Sequence, residues 1–163
     1  MAYNIIFKGD TDMENAIIES IEKLYRGQIL NTVLYFALII VVVLVTIFVL
    51  KFKLLNSKWK NIALISFNVL LSVLLPALQM IEVYPIYKDY SEQAYVVVEN
   101  AKVIVGEGST GGLNNTTNVV VYDGDTEIDL TMLVDYSLDM GGEYNGKIAY
   151  TKNSKYLVWY EFD

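Results

Sequence analysis

Cysteine and histidine are both missing from these 163 residues, and proline occurs only twice. Without cysteine there is no disulfide and no thiolate metal site, so any part outside a membrane must be held by packing. Without histidine the commonest general base, proton shuttle and transition-metal ligand is gone. The sequence also contains no G-x-S-x-G, P-loop or zinc pattern. These absences argue against an enzyme and against any cofactor. Cationic residues are few, 12 Lys and Arg against 19 Asp and Glu, for a net charge of −7. Residues 85–163 alone carry 5 Lys and 13 Asp or Glu, net −8. Such a segment is a poor partner for nucleic acid or anionic headgroups and a fair one for cations or basic proteins.

The chain does have long apolar runs. Ile29 to Leu50 holds 22 residues without a charge, enough at about 1.5 Å per residue to cross a hydrocarbon core of about 30 Å. Residues 62–84 form a second run, uncharged until Glu82. The link between them, 51–61, carries Lys51, Lys53, Lys58 and Lys60, with Trp59 where an aromatic would meet the headgroups. The positive-inside rule places this link in the cytoplasm and both termini outside, and Tyr84, Tyr87 and Tyr90 suit an outer aromatic belt. A cleavable signal peptide would need a basic start and a shorter apolar core. The expectation is a multi-pass protein of a plasma (cytoplasmic) membrane. Richness in Ile, Asn, Lys and Tyr points to a bacterium with an AT-rich genome, which would place the membrane in a bacterial cell envelope.

Three segments follow: 1–28, outside the cytoplasm; a transmembrane hairpin, 29–84, with spans 29–50 and 62–84; and an extracytoplasmic β-domain, 85–163. In the first, Tyr3 to Phe7 reads as extended, and Thr11-x-x-Glu14 reads as a capping box. Ile17, Ile18, Ile21, Leu24 and Tyr25 then form the stripe of an amphipathic helix over about 12–26, with Gly27 as a break before the first span. Along the second span Asn68, Ser72, Gln79 and Glu82 share a helical face; in the first, Thr32, Tyr35 and Thr46 do roughly the same. Depth counted from the link sets Thr46 near Asn68, and Thr32 or Tyr35 near Gln79. These polar faces are either packing contacts between spans or a polar pathway.

Beyond Pro85 the period changes from helix to strand. Residues 93–105 read as one long strand that bulges at Glu99-Asn100, where the apolar parity slips. Gly106 to Thr117 reads as a polar loop, 118–123 as a strand, Asp123-Gly124 as a turn, 127–135 as an alternating strand, and 143–151 with 155–162 as a hairpin. Five strands in so short a segment suggest a small barrel of OB or SH3-like type. The fold class is therefore α+β: a membrane hairpin, a short amphipathic helix and an all-β domain.

Asp123 and Asp125 begin like a calcium loop, but Ile128 and Val134 occupy the positions that need glycine and glutamate. They are weak metal candidates, and no metal is expected. Aromatic residues are the stronger signal. Along the last strand Tyr156, Val158, Tyr160 and Phe162 would share one face, and Leu157 and Trp159 the other. The second face needs a cover, either the helix at 12–26 or a partner. If it is a partner, Trp159, Leu157, Tyr144 and Tyr150 are the binding residues expected. The function expected is a non-enzymatic membrane protein whose acidic, aromatic β-domain binds another protein, basic or membrane-embedded, as an accessory subunit of an envelope complex or an immunity protein. The alternative is a homo-oligomeric channel or transporter component built on Asn68, Ser72, Gln79, Glu82 and Tyr35.

Overall fold

The computed structural model describes residues 11–52, 57–110, 116–133 and 137–163, with backbone only for 107–110. The extended piece expected at Tyr3 to Phe7, part of the lysine link, and the strand end at Val134 and Asp135 lie outside these residues. The elements in chain order are α1 (Thr11–Lys51), α2 (Lys58–Glu92), β1 (Tyr95–Thr110), β2 (Thr116–Asp123), β3 (Thr126–Leu133), β4 (Glu143–Thr151) and β5 (Tyr156–Phe162). This is an α+β layout in two compact units: Arg26–Tyr84, and Met1–Tyr25 with Pro85–Asp163.

The unit Arg26–Tyr84 holds the later part of α1 and most of α2. Both α1 and α2 are long and apolar enough to cross a membrane. The break expected at Gly27 is absent, and α1 runs through it. A helical glycine costs only about 1 kcal/mol, less than the bonds that a break on either side of it would forfeit. Likewise α2 runs past Pro85, where the sequence suggested a change to strand. Pro76 and Pro85 deny a donor to the carbonyls of Ser72 and Ile81 without ending the helix.

In the other unit, α2 ends by a Schellman motif. Gln93 sits at φ 48°, its N–H donates to the Tyr90 carbonyl (3.4 Å), and the Ala94 N–H donates to the Asp89 carbonyl (2.9 Å). The five strands then close a barrel in the order β1-β2-β3-β5-β4, with β1 pairing to both β2 and β4. All neighbours are antiparallel except β3 and β5, joined in parallel, among the described residues, by the pairs Thr131–Tyr156 and Met132–Leu157.

The bulge expected in β1 is present. Between Val98 and Ala101 the register against β4 gains one residue, which lets Val98 and the opposite-parity series Ala101, Val103 and Val105 all face the core. They meet Val119 and Val121 of β2, Leu130 and Met132 of β3, Ile148 and Tyr150 of β4, and Leu157 of β5. The polar loop expected over 106–117 is shorter than that, because 106–110 belong to β1 and 116–117 to β2.

A second bulge changes the reading of β5. Ala149 pairs with Trp159 but Tyr150 pairs with Leu157, so Val158 is extra and the parity resets there. Leu157, Tyr160 and Phe162 therefore pack on the barrel core, while Val158 and Trp159 face outward. The sequence pattern had put Leu157 with Trp159. A continuous apolar strand carries no mark of a bulge, so the regular alternation failed.

The outward face is covered by the start of α1. Ile17 and Ile21, almost wholly buried, pack with Ala149, and around them lie Met13, Tyr95, Val97, Val158 and Trp159. This amphipathic segment is thus the layer over the aromatic side of the last hairpin, drawn there by the burial of apolar surface. Tyr25 stacks on Tyr90 at 4.4 Å and 15°.

Candidate functional site

The β4–β5 turn is fixed from below by a buried carboxylate. Asp89, fully buried on the last turn of α2, accepts four hydrogen bonds. Its Oδ1 takes the backbone N–H (2.8 Å) and the side-chain Nδ2 (2.7 Å) of Asn153, and its Oδ2 takes the N–H (2.7 Å) and hydroxyl (2.6 Å) of Ser154. Thr151, also buried, receives the Tyr156 N–H on its Oγ1 at 2.7 Å. The turn needs this help, since Lys155 holds φ 60° without being glycine. Lys155 places its Nζ 5.1 Å from the ring centre of Tyr150. The side chains of Asp89, Thr151, Asn153 and Ser154 are thus engaged with one another and with the turn backbone, a structural role.

The other ends of β4 and β5 form an open cleft of about 720 Å³. The β1 bulge supplies Glu99 and Asn100, β4 supplies Lys147, β5 supplies Glu161 and Phe162, and Asp163 follows β5. Gly146 allows the two strands to close up here, because a Cβ on it would collide with the Glu161 carbonyl oxygen. Asp163 N–H donates to the Asn145 carbonyl (3.0 Å) and holds the chain end along β4. Two lysines sit at the cleft, and both are neutralised: Lys147 by Glu99 (3.1 Å) and Lys102 by Glu143 (2.8 Å). Glu161 and Asp163 have no ion-pair partner among the described residues, so the cleft presents net negative charge.

An aromatic row adjoins it. Phe162 lines the cleft and stacks on Tyr144 (4.9 Å, 21°) and Tyr160 (4.7 Å, 15°), all three half-buried. The Tyr144 hydroxyl accepts the Asp139 N–H at 2.7 Å, which locks that ring in place. The three rings form an apolar ledge beside the carboxylates of the cleft.

The binding residues expected from sequence fall in different places. Tyr144 borders the cleft. Tyr150 and Leu157 are buried in the barrel core, and Trp159 is half-buried under α1. Glu99, Glu161, Phe162 and Asp163 were not singled out, because only barrel closure brings the β1 bulge beside the end of the chain. Burial pushes the hydroxyl of Tyr150 above the ordinary phenol range, and Asp123 adds to the effect. Burial and then the Glu14 carboxylate do the same for Tyr95. Asp123 and Asp125 flank Gly124 in the β2–β3 turn, and among the described residues no three His, Cys, Asp or Glu come together to hold a metal ion.

In the helical unit, Thr32 and Gln79 approach each other across the pair, 3.4 Å from Oγ1 to Oε1. The single hydroxyl proton of Thr32 goes to the nearer Gln28 carbonyl at 2.8 Å, so Gln79 would serve Thr32 best with its amide turned to donate. Thr46 and Asn68 are both buried and line one groove together with Ser72. Tyr35 is half-buried, and Glu82 is exposed. The chain matches no family model, no curated protein and no solved structure.

Proposed function

We propose that this chain is a non-enzymatic membrane protein with two spans, whose extracytoplasmic barrel docks a basic segment of another protein in the cleft lined by Glu99, Phe162, Glu161 and Asp163. Exposed apolar residues support the membrane reading. Leu30, Val33, Leu34, Val41 and Leu44 on α1, and Val69, Leu70, Val73 and Met80 on α2, are half-exposed or more, whereas the core helix of a soluble protein would bury them. The lysine link, with Trp59 81 % exposed, supports a cytoplasmic loop and outer termini.

The strand order, with β1 between β2 and β4 and a parallel β3–β5 contact, supports an OB-like barrel. Such barrels often bind ligands with strands 2–3 and the loops β1–β2 and β4–β5. In this chain the β4–β5 turn is taken up by Asp89, and net charge disfavours nucleic acid. The single observation that carries the docking reading is the cleft, where two carboxylates without an ion-pair partner among the described residues stand beside an aromatic row. An accessory subunit of an envelope complex and an immunity-type protein both fit that chemistry.

Charge reversal tests it. Glu161 and Asp163 are exposed, so Glu161→Lys with Asp163→Lys should leave the fold intact. Capture of the partner from native membranes by the full chain should fall about tenfold or more at low salt, and wild-type capture should weaken as salt rises. Undiminished capture by the double variant would remove the cleft from the interface.

A further inference from the structure

Residues 85–163 hold five lysines, and these are not spread evenly over the barrel. Lys102 and Lys147 are held by glutamates at the cleft. The other three gather at the β4–β5 turn: Lys88 precedes the clamping Asp89, and Lys152 and Lys155 flank the Asn153–Ser154 pair that Asp89 holds. Lys152 is fixed there by its N–H, which donates to the Ala94 carbonyl at 3.0 Å. Lys23 of α1 joins them, since it lines a groove with Tyr156, the residue after Lys155. Lys23, Lys152 and Lys155 are exposed, and Lys88 is half-buried. None of the four has an ion-pair partner among the described residues. Glu19, Glu22 and Glu92 lie within four residues of Lys23 or Lys88 on the helices, and Asp89 is buried under its four donors. The turn from Thr151 to Tyr156 carries no carboxylate, so Lys152 and Lys155 meet no opposite charge on their own element.

This end is also the one tied to the apolar runs. The helix α2 continues unbroken from the second run into it. Lys88 lies four residues past residue 84, about 6 Å at helical rise, which falls within a headgroup layer of about 5–8 Å. Tyr87 and Tyr90, both exposed, pack on Tyr25 at 6.0 and 4.4 Å and supply amphipathic rings of the kind that settle at that depth. Long lysine stems extend the reach of the turn toward the same layer.

We propose that this basic end is a docking surface for the phosphates of anionic phospholipid headgroups, with Lys88, Lys152 and Lys155 as the main contacts and Lys23 beside them. The inference rests on the membrane reading given above. An otherwise acidic body held beside an anionic bilayer is repelled unless it turns its cationic end to the lipid, so such lipid sets the orientation of the barrel. The cleft, at the other ends of β4 and β5, is then kept on the aqueous side and open to a partner. Net charge conceals this surface, because the average over residues 85–163 is negative.

Amine footprinting of the full chain in vesicles tests it. Contact with an anionic surface is worth about fivefold per lysine. With acetic anhydride as the probe, Lys88, Lys152 and Lys155 should react about fivefold more slowly in an equal mixture of phosphatidylcholine and phosphatidylglycerol than in phosphatidylcholine alone, and raised salt should erase the difference. Lys102 and Lys147 should react alike in both. Lys152→Gln with Lys155→Gln, at exposed positions, should return Lys88 toward its rate in phosphatidylcholine; protection of Lys88 unchanged by that pair would overturn the shared surface. Equal rates in the two vesicles, or slowing that extends to Lys102 and Lys147, would overturn the docking. So would equal protection by inorganic phosphate in phosphatidylcholine vesicles, which would assign the end to a free anion, or protection seen only in native membranes, which would assign it to an acidic protein. Release of the chain by carbonate extraction would overturn the membrane reading and this surface with it.

Discussion

Replacing Asp89 by alanine removes the acceptor for four donors at once. Two of these are side-chain groups of Asn153 and Ser154 that can turn toward water or Thr151, which lies 2.8 Å from the Ser154 hydroxyl. The other two are the backbone N–H groups of Asn153 and Ser154, which cannot turn while the β4–β5 turn keeps its shape. A buried donor left unsatisfied costs about 1–3 kcal/mol, so the two together set an expected loss of about 2–6 kcal/mol. Against a typical domain stability of about 5–15 kcal/mol, that is enough to unfold a marginal barrel. Asp89→Asn keeps one acceptor oxygen and turns an NH₂ toward the remaining donors, so it should lose roughly half as much. Denaturant unfolding of the full chain in detergent, followed by Trp159 fluorescence in a Trp59→Phe background, gives the energies. Hydrogen exchange at the amides of Asn153 and Ser154 reports the site itself. Exposed Asp125→Ala is the control and should change stability by less than about 0.5 kcal/mol. If Asp89→Ala costs under about 1 kcal/mol and both amides stay protected, the clamp is not what holds the turn.

Two further outcomes follow from the layer over the hairpin. Ile17, with no exposed surface, anchors α1 on Ala149 and the Trp159 face, so Ile17→Ala should destabilise the β-domain by about 2–5 kcal/mol and red-shift Trp159 emission; an unshifted spectrum would show that the helix does not cover that ring. Burial and Glu14 hold the Tyr95 proton on past the ordinary phenol value near 10, so the unfolded chain releases it first, the folded form binds more protons, and stability falls as pH rises above about 10. Melting temperature should therefore drop less in Tyr95→Phe than in the wild type between about pH 9.5 and 11, and parallel curves would refute the assignment.

How much could be read without coordinates depended on whether the signal was local. The β1 bulge was legible because Glu99 and Asn100 interrupt a run of valines just where parity slips, and the final strands were legible from their turn residues. The β5 bulge was not, since Leu157, Val158 and Trp159 are all apolar and either alternation looks plausible. Gly27 and Pro85 misled for the opposite reason: each is a local breaker overruled by the helix continuing on both sides. Asp89 was not singled out at all, because its partners lie 64 and 65 residues away in the β4–β5 turn. The same distance hid the cleft, whose walls come from β1 and from the chain's last residues.

The two-pair contact between β3 and β5 bears on the order in which the chain is made. As the chain emerges from its start, β1, β2 and β3 can pair as a meander at once, each with its neighbour in sequence. The strand that flanks β1 on its other side, and the one that touches β3, both come last. Until Glu143–Phe162 is synthesised, the nascent sheet has two open edges, the condition in which sheets join wrong partners. On β3 the exposed carboxylates of Glu127 and Asp129 give the waiting strand a charged margin that resists such joining. A chain truncated before residue 143 should therefore be more prone to self-association than the full chain.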